Sequence, residues 1–269
     1  MDYQKFITEV LQEASLIAAE NFGKVTGVVK EGDNNQVLTE TDLKIGGAII
    51  GRIKKEFPGY NIIDEEAGVI DNHSEFTWVI DPIDGTSNFA SGTPTYGIVL
   101  GLLKGGAPIA GGFVLPSFSE IYVAEKNMGA CCNGERIQVS QEAQLSNALV
   151  AYGIDGHQED PERTREEAKL LAEIVLGIRN LRSSGCVFDI AMIAKGHYGA
   201  GLNRTSKIWD NVAQHIIVEE AGGIYTDFFG SAMDYSDPIS KAQNNFTCMA
   251  GSPELHTQLL ALIKSQNKI

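Results

Sequence analysis

The sequence predicts a layered α+β or α/β sandwich built on two sheets. Three observations predict it. Apolar residues recur at helical spacing near both ends of the chain and in separate segments between them. Short apolar runs bounded by turn residues crowd residues 60–124. The two kinds of segment come in mixed groups, without the strict alternation of a doubly wound sheet. At 269 residues, 43% of them hydrophobic, the chain buries a core without disulfide or metal staples. A seam is expected near residues 145–150.

Taken in order, Tyr3, Phe6, Ile7, Val10, Leu11, Ala14, Ile17 and Ala18 share one helical face, so residues 3–22 predict an amphipathic helix that Gly23 stops. The polar stretch 24–40, with Gly32, Asp33, Asn34 and Asn35 in a row, reads as a mobile loop. Ile45, Ile49, Ile53 and Phe57 mark a second helix, ended before Pro58. The period then changes. Residues 60–63 and 76–80 read as buried strands, and 96–103, 107–115 and 120–124 continue the set, broken by Gly-Gly and Pro-Ser turns. Asp160-Pro161 opens a helix with Leu170, Leu171, Ile174 and Val175 on its apolar face. Residues 187–195 predict a helix and 198–203 a short strand. Val212, Ala213, Ile216, Ile217 and Ala221 give a helix that stops at Gly222-Gly223. Strands at 223–228 and 246–251 follow, and Ser252-Pro253 opens a last helix carrying Leu255, Leu259, Leu262 and Ile263.

Composition removes several classes of function. A net charge of −14 makes the chain a poor partner for nucleic acid or an anionic membrane. No window reaches the ~18 consecutive apolar residues that span a bilayer, and the acidic N-terminus is unlike a signal peptide. Cys131, Cys132, Cys186 and Cys248 form no C-x-x-C pair, and they read as reduced thiols of a cytoplasmic protein. No Ser-His or Cys-His nucleophile pattern stands out, and none of the five histidines has a metal-ligand spacing.

The chemistry concentrates in Asp81-Pro82-Ile83-Asp84-Gly85-Thr86, directly after the strand at 76–80. Pro82 keeps Asp81 extended, Gly85 permits a turn, and Thr86, Ser87 and Asn88 open a helix whose first N–H groups lack intrahelical partners. Such an end suits phosphate. Two carboxylates with a carbonyl between them make an oxygen-only donor set, which selects hard cations, Mg²⁺ first among them when phosphate completes the shell. A calcium loop needs acids at alternate positions and a distant Glu, and this spacing fails it. The plainer reading is a turn in which an Asp caps a helix. Glu65-Glu66 end the strand at 60–63, so either reaches Asp81 if the two strands pair. Asp210, after Trp209, opens the helix that ends in Glu219-Glu220-Ala221-Gly222-Gly223, and by itself it reads first as a plain helix cap.

The hexapeptide, Glu65-Glu66 upstream and Trp209-Asp210 with its downstream Glu-Ala-Gly-Gly together resemble the inositol monophosphatase family, metal-dependent and lithium-sensitive phosphatases. The resemblance runs from Lys30 and Thr39–Asp42 to the last helix. It implies one catalytic domain over residues 1–269 with the αβαβα sandwich of the inositol monophosphatase and fructose-1,6-bisphosphatase type. It implies that Glu65, Asp81 and the Ile83 carbonyl hold a first Mg²⁺ and that Asp81, Asp84 and Asp210 hold a second, with a weaker third ion near Glu65. Catalysis then falls to Thr86, Asp42 and Glu65, with Thr86 binding and helping to deprotonate the attacking water and Asp42 accepting from its hydroxyl. Gly85, Thr86 and Ser87 lie at the phosphate, and Gly185, Cys186, Asn203 and Asp210 on the alcohol side of the substrate. Lys30 falls beside the third-ion region or is a solvated charge. A homodimer and lithium replacing the second Mg²⁺ come with the resemblance as well.

Two positions depart from the family pattern. Its Gly-Glu-Glu reads Asp64-Glu65-Glu66, which places one more carboxylate beside the ion site. Where inositol-specific members carry a glutamate seven residues before Asp210, this chain has Asn203, flanked by Arg204 and Lys207, a mildly basic wall for a second anionic group. The activity expected is hydrolysis of a small polyol or sugar phosphate of the inositol-1-phosphate kind. The same family also offers histidinol phosphate, fructose 1,6-bisphosphate, NADP or 3′-phosphoadenosine phosphate as substrates, and a catalytically silent binding module is the alternative of a different class.

Overall fold

The computed structural model describes residues 2–30 and 37–266. Helix α1 (Tyr3–Asn21) precedes two short paired strands, β1 (Val28–Val29) and β2 (Val37–Leu38), and then α2 (Glu40–Glu56). The stretch expected to be a loop thus carries a two-strand ladder, and its residues 32–35 lie outside the described residues.

A first sheet follows from β3 (Asn61–Asp64), β4 (Gly68–Ile70), β5 (Phe76–Asp84), β6 (Gly97–Lys104), β7 (Ala107–Leu115), β8 (Glu120–Glu125), β9 (Ala130–Cys132) and β10 (Glu135–Arg136), with α3 (Thr86–Ser91) between β5 and β6. Its strand order is β10-β9-β8-β7-β6-β5-β3-β4. The second sheet takes β11 (Leu149–Gly153), β12 (Asn180–Arg182), β13 (Ala200–Ser206), β14 (Ile224–Thr226) and β15 (Phe246–Gly251) in the order β12-β11-β13-β15-β14. The helices among them are α4 (Pro161–Gly177), α5 (Val187–Ala194), α6 (Ile208–Glu220) and α7 (Pro253–Gln266). The chain passes from one sheet to the other between residues 136 and 149.

Packing sorts these elements into five layers. Helices α1 and α2 cover one face of the first sheet, α5 and α6 lie between the two sheets, and α4 and α7 cover the far face of the second. This is the αβαβα order. The apolar periodicities account for it. Phe6, Ile7, Val10, Leu11, Ala14 and Ala18 of α1 are buried on the first sheet, whereas α6, held between two sheets, is buried almost all round.

Close approach of α6 depends on glycine. Gly101 of β6 and Gly111 of β7 are cross-strand partners. A Cβ on Gly111 would lie 2.7 Å from Ala213 Cα, and one on Gly101 would lie 2.6 Å from Val212 Cγ1. With no side chain in the way, α6 rests directly on the sheet, and its first turn comes level with the end of β5. Gly111→Ala is expected to push α6 off the sheet at a cost of about 1–3 kcal/mol, measured as a melting temperature several degrees lower.

Candidate active site

The carboxyl ends of β3, β5, β11 and β13 and the amino ends of α3, α5 and α6 open into one cavity of ≈770 Å³. Ends of parallel strands are a common place for ligands, because loops there leave room and helix amino ends face it.

Parallel pairing of β3 with β5 sets Asp64 opposite Ile80, and the Glu65 N–H donates to the Ile80 carbonyl at 3.1 Å. Glu65 therefore leaves its strand beside Asp81. Strand β5 runs on to Asp84 rather than ending at residue 80, with an irregular register between Asp81 and Asp84 where Pro82 has no N–H to give the ladder. Gly85 then turns the chain at φ +90°, and α3 begins at Thr86. The Thr86 hydroxyl lies 2.8 Å from the Ile83 carbonyl and 3.2 Å from Asp42 Oδ1.

Asp42 and Asp210 occupy equivalent places, each at the third position of its helix. Asp42 Oδ2 accepts from the Thr39 N–H at 2.9 Å, and Asp210 Oδ2 accepts from the Lys207 N–H at 2.6 Å. Each carboxylate caps its helix with one oxygen, and the second is left for the site: that of Asp42 accepts from the Thr86 hydroxyl, and Asp210 lines the cavity. Asp84 is fixed differently. Its Oδ2 accepts from the Val187 N–H at 2.6 Å, so it sits at the positive end of α5.

The opposite wall is the turn at 183–186. The Asn88 Nδ2 donates to the carbonyls of Thr95 at 2.8 Å and Ser184 at 2.9 Å, and the Ser184 N–H donates to Asp189 Oδ2 at 3.0 Å. The Cys186 thiol donates to the Thr95 carbonyl at 3.3 Å, and burial, with the Asp84 charge adding to it, pushes its pKa up. Cys186 is packing, not a nucleophile.

Charge dominates the cavity. Burial raises the pKa of Glu65, Asp81, Asp84 and Asp210, in Asp210 to about 7. In the three aspartates the neighbouring carboxylates add to the rise, and in Glu65 the Lys30 ammonium works against it. Lys30 Nζ donates to Glu65 Oε1 at 2.7 Å and to Glu66 Oε1 at 2.6 Å. Burial disfavours its charge, but the two glutamates outweigh this and hold its pKa above the usual value. Asp81, 2% exposed, keeps one oxygen (Oδ1) without a hydrogen-bond partner among the described residues.

An orphaned, buried carboxylate oxygen among half-buried carboxylates fits a hard cation, which the all-oxygen donor set would select. Among the described residues no three acidic, histidine or cysteine side chains are drawn in as a closed ligand shell. Rotation of these carboxylates within the cavity would have to complete it.

The model of the inositol monophosphatase family matches residues 2–268. The chain belongs to that family. Its members are phosphoric monoester hydrolases that act on small phosphate esters, and this chain is a phosphatase of the family. It is 32% identical to the fructose-1,6-bisphosphatase/inositol-1-monophosphatase of Aquifex aeolicus over 100% of this chain and 99% of the relative. It is 31% identical to the inositol-1-monophosphatase ImpA of Mycolicibacterium smegmatis over 100% and 96%. Among solved structures, an IMPase from Thermotoga maritima superposes with a TM-score of 0.86 at 28% identity, covering 100% of this chain and 99% of that one. Among the described residues no helix is long and apolar enough to cross a membrane.

Of the residues singled out in the sequence, Glu65, Asp81, Ile83, Asp84, Gly85, Thr86, Ser87, Gly185, Cys186, Asn203, Lys207 and Asp210 all line the family member's cavity. Asp42 stands behind Thr86, and Lys30 joins through Glu65. One expectation is corrected and one is refined. Asp64 adds a carboxylate within electrostatic reach of Glu65, but it does not itself line the cavity. Its Oδ1 accepts from the N–H groups of Glu66 (2.9 Å) and Ala67 (2.6 Å), and its Oδ2 faces Gly46, where a Cβ would come within 2.8 Å. It shapes the turn that presents Glu65. Arg204 points to the other side of β13, because neighbours along a strand alternate faces, and Asn203 and Thr205 take the cavity side. The sequence reading missed Asp189, His157 and Arg163, which also line the cavity. Asp160-Pro161 signalled only a helix start there, and nothing in the local pattern marked its first turn as part of a distant site.

The carboxylates give a pH test. Each binds its proton more tightly in the folded chain than in the unfolded one, where its pKa is about 4. Between those values the folded state holds more protons, so metal-free stability falls as pH rises towards 7. Thermal melts of the metal-free protein are expected to drop between about pH 5 and pH 8. Mg²⁺ should raise the melting temperature more at the higher pH, and an equal rise at both would contradict the cluster.

Proposed function

We propose that the protein is a Mg²⁺-dependent phosphomonoesterase whose substrate is a small polyol or sugar phosphate, cleaved by attack of water. The observation that carries this reading is the convergence of Glu65, Asp81, Asp84 and Asp210 from three separate stretches of chain on one cavity, with Asp81 Oδ1 unpartnered among the described residues. Carboxylates gathered in a largely desolvated cavity are costly unless cations join them.

Glu65, Asp81, Asp84, Asp210 and the Ile83 carbonyl would hold the cations. When bound, these supply Lewis acidity that activates water and neutralises charge on the phosphate and the leaving oxygen. The chain does the rest. Thr86, with its hydroxyl shared between the Ile83 carbonyl and Asp42, orients the attacking water and passes its proton towards Asp42. Burial raises the pKa of Asp42, which makes it a better proton acceptor than an exposed aspartate. Gly85, Thr86 and Ser87 offer N–H groups to the phosphate at the start of α3. The wall at 183–186 and Asn203 close around the alcohol. Phosphoryl transfer asks mainly for positioning and charge neutralisation, and this arrangement offers both.

The test is release of phosphate from a generic ester. Wild-type protein is expected to release it with Mg²⁺ and to stop on addition of EDTA. Asp84→Asn and Asp210→Asn should bring turnover to background while the circular dichroism spectrum stays that of the folded chain. Metal-independent release, or wild-type rates in either variant, would remove the proposal, and no release under any condition would favour a silent binding module.

A further inference from the structure

Helix α6 lies between the two sheets, yet it carries three buried polar side chains, Asn211, Gln214 and His215. Asn211 is 0% exposed. An amide there costs free energy unless hydrogen bonds meet it, and an apolar side chain would fill the layer without that demand. Three partners meet it. Its Nδ2 donates to the Lys207 carbonyl and, at 2.9 Å, to Ser206 Oγ, and its Oδ1 accepts from the Tyr225 hydroxyl at 2.8 Å. Only this orientation of the amide gives the Lys207 carbonyl a donor.

Each partner is itself held. Ser206, the last residue of β13, donates from Oγ to the Phe246 carbonyl of β15 at 3.1 Å. Tyr225 of β14 is buried, and its ring stacks on His215 with centroids 5.0 Å apart, which keeps its hydroxyl on Asn211. Asn211 reaches the cavity and Tyr225 does not.

The bonds converge on Lys207, the residue before α6. Lysine has no side-chain oxygen to cap a helix, and this ammonium donates to the Gln243 carbonyl at 2.7 Å. Asp210 accepts from the Lys207 N–H at 2.6 Å, and Asn211 donates to the Lys207 carbonyl. Two consecutive side chains thus grip both polar groups of one residue. The Asp210 carboxylate is only as fixed as the N–H it accepts from, and that N–H belongs to the residue whose carbonyl Asn211 holds.

We propose that Asn211, locked by Tyr225, is a positioning residue: it fixes Lys207, through it the Asp210 carboxylate, and so sets how tightly the carboxylate cluster takes Mg²⁺. This rests on the Mg²⁺-dependent reading of the same cavity. Groups behind a metal ligand that fix its direction are worth about 10–100-fold in affinity.

Calorimetric titration of Mg²⁺ into the metal-free protein, without substrate, tests it, beside phosphate release from glycerol 2-phosphate. The variants are Tyr225→Phe, Asn211→Leu, the two combined, and Tyr235→Phe as the matched control. Tyr235 is buried with its hydroxyl 3.3 Å from His215 Nδ1, so this change removes the same group nearby without taking a bond from Asn211. Both tyrosine changes should lower the melting temperature. Tyr225→Phe should weaken Mg²⁺ binding by about tenfold and raise the Mg²⁺ needed for half-maximal release to match, and Asn211→Leu should weaken it at least as much. The combined variant should bind no more weakly than Asn211→Leu, because Tyr225 acts through the amide. Tyr235→Phe should bind Mg²⁺ as wild type does. Binding unmoved in Tyr225→Phe, an equal loss in Tyr235→Phe, or additive losses in the combined variant would overturn the positioning role and leave the hydrolytic reading standing. Should Asn211→Leu fail to fold, the two tyrosine variants still decide. Wild type that takes up no Mg²⁺ and releases no phosphate would take both down.

Discussion

Mutual repulsion among Glu65, Asp81, Asp84 and Asp210 is the constraint around which the molecule is built. Two unit charges 4 Å apart repel by about 4 kcal/mol at an effective dielectric constant near 20. A helix amino end returns typically ~0.3–1 kcal/mol to a nearby anion, and three such ends face this cavity. Lys30 compensates Glu65 and Glu66 at one edge only. The chain's own positive groups therefore fall short, and the balance is left to protons or to cations. The surrounding architecture keeps the carboxylates together despite this: the β3–β5 pairing, the cap geometry of α6, and the glycine seam that lets α6 lie flat on the sheet.

Several of these acids hold the fold and face the site with the same side chain. Asp42 and Asp210 each satisfy a backbone N–H at a helix start, and Asp84 does so for α5. The choice between helix cap and site residue, open for Asp210 when only the sequence is read, is not exclusive in geometry: Asp210 caps α6 and lines the cavity as well. One oxygen of a carboxylate is enough for a cap, and the second remains for other work. Asn replaces Asp at such a position with the cap oxygen retained and the charge removed, which separates the two duties.

Helix and strand periods placed most elements within a residue or two, since α1, α2, β6, β7 and α6 carry long, unambiguous apolar patterns. The strands at 149–153 and 180–182 escaped notice. Leu149–Gly153 contains two small residues and a tyrosine, and only Leu181 of Asn180–Arg182 is apolar, so neither run stands out from its flanks. The carboxylates nearest the hexapeptide were legible because consecutive residues do the work. Arg163 and His157 were not, since they reach the cavity only after α4 folds back over the second sheet. Arg204 misled for a related reason: adjacency in sequence says nothing about which face of a strand a charge takes.

Asn88 ties the two ends of this design together unequally. Its amide bridges Thr95 and Ser184, 96 residues away from itself in the second case, so α3 and the turn at 183–186 move as one piece around the reacting end. Arg163 and His157 of the segment 157–163 bond instead to Thr205 and the Arg204 backbone, in the second sheet. A change at Asn88 would therefore be felt on both walls of the reacting end at once, whereas one at Arg163 would be felt first in the second sheet.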